Sequence, residues 1–133
     1  MEFQIKERYD INDLIKIVEM LRDPVNGCPW DKVQTHLSIR KNFIEETYEA
    51  IEAIDLDDKE LMQEELGDVL FAAVKVGRFA GVDPETALQG TCEKFLRRFR
   101  YVEQQAASAG KNLTDMSLSE MTALWDEAKS NKA

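Results

Sequence analysis

Apolar residues recur every three or four positions along five stretches of the chain, a spacing that places them on one face of an α-helix. Proline, glycine and short acidic residues separate these stretches, and they favour turns and helix caps. No stretch alternates apolar and polar residues with the period of two that a half-buried strand requires. The pattern predicts an all-α fold, an antiparallel helical bundle of about four main helices plus a short C-terminal helix. The expected helices are about Asp10–Arg22, Leu37–Asp55, Asp58–Gly81, Pro84–Gly110 and Ser117–Lys129.

A segment rich in turn residues separates the first two predicted helices. Pro24 and Pro29 have a fixed φ angle, and Gly27 tolerates a positive φ, so residues 23–36 are expected to form a loop. The same segment carries large apolar side chains, among them Trp30. Because such side chains usually pack against a core, we expect the loop to be ordered.

Length and charge limit the classes of protein to which the chain can belong. Its 133 residues, 44% of them apolar, are enough for one core, so we expect a single domain spanning residues 1–133. A net charge of -9 argues against binding to a nucleic acid polymer or an anionic membrane surface. The most apolar stretch, Val69–Val76, is interrupted by Lys75 and is far shorter than the roughly 20 residues of a membrane span.

The N-terminal residues and the cysteines indicate the cellular compartment of the protein. The first residues lack the apolar core of a secretory signal peptide. Two isolated cysteines, Cys28 and Cys92, do not make a disulfide framework, and the expected role of Cys28 is packing. These features predict a cytoplasmic protein.

Two clusters of acidic residues lie on the second and third predicted helices. Positions i and i+3 share a helix face, so Glu46 and Glu49 form one carboxylate pair. Glu65 and Asp68 form a second pair for the same reason. A short turn joins the two helices, which predicts that they run antiparallel and that the pairs face each other. The acidic residues of the two clusters are Glu45, Glu46, Glu49, Glu64, Glu65 and Asp68.

Converging carboxylates repel one another unless a cation joins them, and their hard oxygen atoms suit Mg²⁺ or Mn²⁺. Di-iron bundles use Glu-x-x-His pairs, but the single histidine of this chain, His36, lies outside both clusters. Magnesium held by a few carboxylates leaves positions for water and phosphate oxygens, which favours phosphoryl chemistry. The spacing alone leaves a second interpretation open, in which the acidic residues form solvated helix faces.

The acidic motifs and their flanking sequences resemble those of the MazG nucleoside triphosphate pyrophosphohydrolase family. The resemblance covers about residues 12–129. It rests on the segments LRDPVNGCPWDKVQTH, FIEETYEAIEAI, EELGDVLFAAV, EKFLRRFRYVE and LSEMTALWDEAK. It implies an all-α pyrophosphohydrolase that depends on Mg²⁺, with Mn²⁺ as a substitute, and usually works as a homo-oligomer, here a homodimer or a homotetramer. The implied reaction is hydrolysis of ribo- or deoxyribonucleoside triphosphates between the α and β phosphates.

The resemblance also assigns roles by position. It implies that the metal ligands are Glu46, Glu49, Glu65 and Asp68. Glu45 is a candidate for orienting water or binding a second ion. Lys94 and Arg98 match basic positions that such enzymes use for the phosphates, and Trp125 matches an aromatic position implicated with the nucleotide.

The chain departs from the long MazG form in two respects. That form carries two such domains in tandem, whereas this chain has the length for one. In addition, the 23–36 loop resembles the first domain, whereas the segment KFLRRFRYVE resembles the second. Regulation or partners that belong to the long form therefore do not transfer directly to this chain.

For the basic and aromatic residues, a purely structural role is the alternative to substrate binding. Lys94 and Arg98 are four residues apart and share a helix side, which favours them as a phosphate-binding pair over Arg97 as a third residue. A basic stretch on a helix also commonly forms a solvated face. Large aromatic side chains are usually buried, which favours packing anchors over base platforms for Trp30 and Trp125, and the family match supports a base platform only for Trp125. His36 is a third candidate for contacting substrate, although a histidine before a helix often acts as a cap.

Three functional hypotheses follow from the residues and the resemblance together. The first is a general nucleoside triphosphate pyrophosphohydrolase, with in-line attack of water on the α-phosphorus. The second is a house-cleaning hydrolase specialised for one modified nucleotide. The third is a non-catalytic helical interaction module, which predicts no pyrophosphate release and no stabilisation by divalent ions.

Overall fold

The computed structural model describes residues 2–131. In this range the chain forms six α-helices and one short 3-10 helix, and the described residues contain no β-strand. The predicted all-α fold is therefore confirmed. The helices are α1 (Ile11–Leu21), α2 (Pro29–Val33), α3 (Arg40–Asp55), α4 (Lys59–Phe79), α5 (Pro84–Ser108) and α6 (Leu118–Ser130), and the 3-10 helix is Leu113–Asp115.

Helix caps fix the ends of the longer helices where the sequence predicts them. The Asp10 side chain accepts hydrogen bonds from the backbone amides of Asn12 and Asp13, and Asp13 accepts one in return from the Asp10 amide. At the other ends, Gly81 follows α4 with φ 74° and Gly110 follows α5 with φ 69°. Glycine adopts this left-handed conformation at little steric cost, which explains why the helices end there.

The 23–36 segment is ordered, as predicted, but it contains a helix that the sequence analysis did not anticipate. Pro29 occupies the start of α2, where its fixed φ is suited to a helix. The Arg22 guanidinium holds the segment by donating hydrogen bonds to the carbonyl oxygens of Asp31 and Gln34. Gly27 is required at its position, because a Cβ there would lie only 2.4 Å from the Asp23 carbonyl oxygen.

Helices α3 and α4 form the most extensive helix pair of the structure. Residues 56–58 make the turn between them; Asp57 has a positive φ of 52°, and the Asp58 side chain accepts a hydrogen bond from the Leu61 amide. Ala50 and Ala53 of α3 are buried, and such small side chains let two helices approach closely. This hairpin supplies the acidic residues of the site.

A small apolar core links α1 and α4 to Ile39, the residue that precedes α3. Its buried members are Val18, Ile39, Val74 and Phe79. Ile11, Leu14, Ile15 and Val76 pack against it. The Arg22 guanidinium lies 4.0 Å from the centre of the Phe79 ring, so this core also anchors the segment that follows α1.

Val18 has no exposed surface and provides a test of this core. We expect Val18→Ala to lower the free energy of unfolding by about 2 kcal/mol, because two buried methyl groups are lost and a cavity remains. Urea unfolding followed by circular dichroism measures the change. Val33→Ala, at a side chain that is mostly exposed, is the control and should stay within about 0.5 kcal/mol of the parent protein.

The chain divides into two compact units, Met1–Pro84 and Glu85–Ala133. In the second unit, the ring centroids of Phe95 and Trp125 lie 5.4 Å apart, which ties α6 to α5. The Tyr101 hydroxyl donates to a carboxylate oxygen of Glu127 across the same pair of helices, at 3.0 Å. The single domain spanning residues 1–133 stays a prediction.

None of the helices in the described part of the chain has both the length and the apolar character needed to cross a lipid bilayer.

Candidate functional site

The α3–α4 hairpin brings the acidic residues of its two helices together. One carboxylate oxygen from each of Glu46, Glu49 and Glu65 lies within 4.8 Å of the other two. Oxygen atoms of Glu64, Glu65 and Asp68 meet the same distance limit. Glu65 belongs to both groups and is therefore the central residue of this carboxylate cluster, which we define as Glu46, Glu49, Glu64, Glu65 and Asp68.

The charges of the cluster act across the hairpin. Burial raises the pKa of Glu46, and the charges of Glu49 and Asp68 raise it further. Burial also raises the pKa of Glu65, followed by the charges of Glu49, Asp68 and Glu64. Residues of α3 thus interact with residues of α4, as expected for antiparallel neighbours. The carboxylates repel one another in the absence of a cation.

The donor atoms fit a hard divalent cation. The Oε2 atom of Glu65 is buried and has no hydrogen-bond partner within the described part of the chain. An unpaired buried carboxylate oxygen is costly, and a cation would satisfy it. Glu49, Glu64 and Asp68 are exposed, so the cluster is open to an incoming ion. A site made of carboxylate oxygens is typical of Mg²⁺ or Mn²⁺ rather than Zn²⁺.

Glu45 does not join either group. Its side chain is exposed, and a carboxylate oxygen lies 3.9 Å from the Lys41 ammonium one turn earlier on α3. Asn42, also on α3, reaches the cluster and donates a long hydrogen bond of 3.4 Å to Glu46. The structure therefore places Glu45 beside the cluster, and its assigned role stays a prediction.

The raised pKa values of Glu46 and Glu65 determine how the stability of the folded protein should change with pH. When the pKa of a carboxyl group is higher in the folded state than in the unfolded state, the folded state binds more protons just above the unfolded value, so stability falls as the pH rises. The ordinary value for glutamate is 4.5. In chelator, the double variant Glu46→Gln/Glu65→Gln should have a higher melting temperature than the parent protein at neutral pH.

This gain should shrink as the pH is lowered toward 4.5, because the parent carboxyl groups then become neutral as well. Differential scanning calorimetry across this pH range measures the difference between the two proteins. A double variant that is less stable than the parent at neutral pH in chelator would contradict the repulsion inferred here.

The basic residues assigned by resemblance lie on α5, in the second unit. Lys94 is exposed and Arg98 is partly buried. Arg97 is exposed and, with Arg100 and Tyr101, lines a shallow groove along α5. Lys94 and Arg98 lie one helical turn apart, so they share one side of α5 as expected. Their contact with phosphate stays a prediction.

The two tryptophans and His36 occupy different surroundings. Trp30 is 55% exposed, so the expectation that it packs as a buried anchor is wrong; only the neighbouring residue, Asp31, is buried at this point of α2. Trp125 is partly buried and borders an apolar groove with Phe95. His36 is exposed in the turn that precedes α3.

The sequence analysis assigned no role to Lys75 or Asp31. Lys75 lines a small cavity beside the carboxylate cluster, together with Asn42, Glu46, Asp68, Phe71 and Ala72. One sequence signal marks it, because a lysine interrupts an otherwise apolar run of α4. Asp31 is buried, and a buried carboxylate usually has a charged partner or a function.

The described chain is an all-helical protein in which carboxylates converge across a helical hairpin. Comparison with known families shows the family to which it belongs. The sequence profile of the MazG nucleotide pyrophosphohydrolase domain matches residues 34–102, just over half of the chain. This chain belongs to the MazG family. The match includes the whole α3–α4 hairpin and the basic stretch of α5.

Similar proteins are found in several bacteria. The protein YabN of Bacillus subtilis is 43% identical over 125 residues, which cover 91% of this chain and 24% of YabN. The nucleoside triphosphate pyrophosphohydrolase of Escherichia coli K12 is 36% identical over 126 residues, which cover 92% of this chain and 45% of that enzyme. The chain thus spans less than half the length of these relatives.

A solved structure has the same fold. The crystal structure of a MazG-related protein from Thermotoga maritima superposes with a TM-score of 0.65 at 28% sequence identity. The match covers 90% of this chain and 98% of the Thermotoga chain.

Proposed function

We propose that this protein hydrolyses ribo- or deoxyribonucleoside triphosphates to nucleoside monophosphate and pyrophosphate, with Mg²⁺ as its cofactor. The carboxylate cluster of the α3–α4 hairpin carries the proposal, because three acidic side chains of two helices present oxygen atoms within 4.8 Å of one another. The cluster lies in the part of the chain that matches the MazG family, whose name describes nucleotide pyrophosphohydrolysis.

The residues of the hairpin divide into metal ligands and a neighbouring acid. Glu46, Glu49, Glu65 and Asp68 would hold the metal. When bound, Mg²⁺ supplies a water of lowered pKa and stabilises charge on the phosphate oxygens, and Mn²⁺ is the expected substitute. Glu45 orients the attacking water or contributes to a second ion.

The reaction proceeds by in-line displacement at the α-phosphorus. A bond forms between the water oxygen and the α-phosphorus, and the bond from the α-phosphorus to the oxygen that bridges the α and β phosphates breaks. The water proton passes to a base, and the pyrophosphate leaves with the electron pair of the broken bond. Because Glu46 and Glu65 would hold the metal in this proposal, the base is a group outside the ligand set, and Glu45, which would orient the attacking water, is the candidate.

Residues outside the hairpin bind the rest of the substrate in this proposal. Lys94 and Arg98 neutralise the departing pyrophosphate, with Arg97 as a third cation. Trp125 contacts the nucleotide through its aromatic face. His36 approaches the sugar or the base from the turn before α3.

A panel of ribo- and deoxyribonucleoside triphosphates, incubated with and without Mg²⁺ and separated by chromatography, tests the reaction. Monophosphate and pyrophosphate should appear in equal amounts and only with metal. Release of inorganic orthophosphate alone would overturn the proposal. Turnover of one modified nucleotide only would identify the specialised hydrolase, and no nucleotide binding at all would favour the interaction module.

The proposed role of Lys94 in neutralising the departing pyrophosphate can be tested separately. We expect Lys94→Ala to lower kcat by about 10², a loss typical of removing one donor that stabilises developing charge. Steady-state kinetics should show this loss, with metal affinity unchanged because Lys94 is not a ligand. Lys129→Ala, an exposed lysine on α6, is the control. A Lys94→Ala enzyme with the kcat of the parent would remove Lys94 from the site.

We also propose that the protein is a homodimer or a homotetramer. Ile44, Tyr48 and Ile51 recur at helical spacing on α3, and about half or more of each side chain is exposed. On α4, Leu66 and Leu70 are similarly exposed. Several exposed apolar side chains at helical spacing on two neighbouring helices are typical of a surface that a partner covers. Light scattering coupled to size-exclusion chromatography should give a mass of two or four chains, and a mass of one chain would contradict it.

A further inference from the structure

Lys75 lies in an unusual environment for a lysine. Its side chain is only 14% exposed, and its ammonium lies 5.1 Å from the centre of the Trp30 ring. The rings of Phe71 and Phe79 are 5.8 and 5.9 Å away. Burying a charged side chain among aromatic rings is costly unless the charge has a partner or a ligand.

The partner that the structure provides is Asp31, and the pair is loose. Asp31 is 6% exposed, and its Oδ1 atom lies 4.0 Å from the Lys75 ammonium. That distance is too long for a hydrogen bond, and Oδ1 has no hydrogen-bond partner among the described residues. The buried Asp31 acceptor thus lies beside a partly buried lysine without accepting a hydrogen bond from it.

A cavity lies between Lys75 and the carboxylate cluster. It has a volume of about 130 Å³, and its walls include Asp68 at the cluster and Lys75 beyond it. These two residues are two turns apart on α4, so they share a face and lie about 10 Å apart along the helix axis. Phosphates held at the cluster would leave the remainder of a nucleotide to extend toward Lys75.

We propose that Lys75, with Asp31 and the exposed face of Trp30, binds the nucleobase of the substrate and determines which bases are accepted. This inference rests on the proposed function. Asp31 already balances the Lys75 charge, and aromatic rings surround the ammonium. These surroundings suit a flat, uncharged base better than a polyphosphate. The edge of a base presents hydrogen-bond donors and acceptors that match the Asp31 carboxylate and the Lys75 ammonium.

Isothermal titration calorimetry with α,β-methylene nucleoside triphosphates and with inorganic tripolyphosphate, both in Mg²⁺, separates base binding from phosphate binding. Lys75→Met keeps the length of the side chain and removes the ammonium. We expect it to weaken binding of the nucleotide analogues about tenfold, the effect of losing one hydrogen bond to a charged group. Binding of tripolyphosphate should not change. Lys16→Met, at an exposed lysine of α1, is the matched control.

Trp30→Ala is the second variant, because it removes an exposed side chain and should fold even if the Lys75 variant does not. It should weaken binding of the analogues and spare tripolyphosphate. Equal weakening of both ligands, or no change in either variant, would overturn the inference. Because the analogues are not hydrolysed, base binding is measured even if the protein proves to have a different activity, so the two failures are distinguishable.

Discussion

Replacing Glu65 with glutamine is expected to lower turnover of nucleoside triphosphates by about 10³. Glu65 is the residue shared by both carboxylate groups, and its Oε2 atom is buried without a hydrogen-bond partner. An amide keeps the size of the side chain but lacks the charge that a divalent ion requires, and a bound metal contributes several kcal/mol of transition-state stabilisation. The fold should be retained, because the repulsion within the cluster decreases.

Steady-state kinetics and circular dichroism, measured on the same preparation, test this prediction. Glu52→Gln is the matched control, because Glu52 lies one turn beyond Glu49 on α3, is exposed and lies outside both carboxylate groups. The control should retain the turnover of the parent protein. A Glu65→Gln protein with near-normal turnover would show that the metal is not held at this cluster.

Removing divalent ions is the second change with a large expected effect. Turnover should stop in chelator and return when Mg²⁺ or Mn²⁺ is added. The same ions should raise the melting temperature, because a ligand at a hundred times its dissociation constant stabilises the folded state by about 2.7 kcal/mol. The ion also removes the repulsion that raises the pKa values of Glu46 and Glu65, and this relief contributes to its affinity for the site.

Differential scanning fluorimetry with Mg²⁺, Mn²⁺ and Ca²⁺ measures the stabilisation. The Glu65→Gln protein should lose most of it, whereas the Glu52→Gln protein should keep it. Full turnover in chelator would contradict a metal-dependent reaction. Equal stabilisation of the two variants would place the ion elsewhere in the protein.

Local sequence signals predicted most of the fold. Asp10 and Ser117 cap α1 and α6, as their positions before apolar periodic segments indicated. Gly81 and Gly110 follow helix ends for the steric reason that the sequence suggested. Helix α2 was missed because five residues are too few to show a period, and because Pro29 was interpreted as a turn residue rather than as a helix start.

The carboxylate cluster was predictable because it depends on two simple rules. Spacing of i and i+3 sets which acids share a helix face, and a short turn sets which helices are neighbours. By contrast, the pairing of Asp31 with Lys75 joins residues distant in sequence, and helical periodicity does not specify such contacts. The exposure of Trp30 was not predicted for the same reason, since the path of the 23–36 segment depends on the tertiary contacts of Arg22.

Several expectations from the sequence stay predictions. The roles of Lys94, Arg98 and Trp125 rest on their positions in the family pattern and on their sharing of α5 and α6. Mg²⁺ as the specific ion, the oligomeric state and the cytoplasmic location also stay predictions. The Lys94→Ala kinetics and the light-scattering measurement described above address the first and third of these most simply.

Hydrolysis in H₂¹⁸O, with the products separated and weighed by mass spectrometry, tests the central proposal most directly. Attack on the α-phosphorus places the oxygen of water in the nucleoside monophosphate and leaves the pyrophosphate unlabelled. We expect one ¹⁸O atom in each monophosphate, and only when Mg²⁺ is present. Label in the pyrophosphate, or in released orthophosphate, would show that water attacks a different phosphorus and would contradict the account.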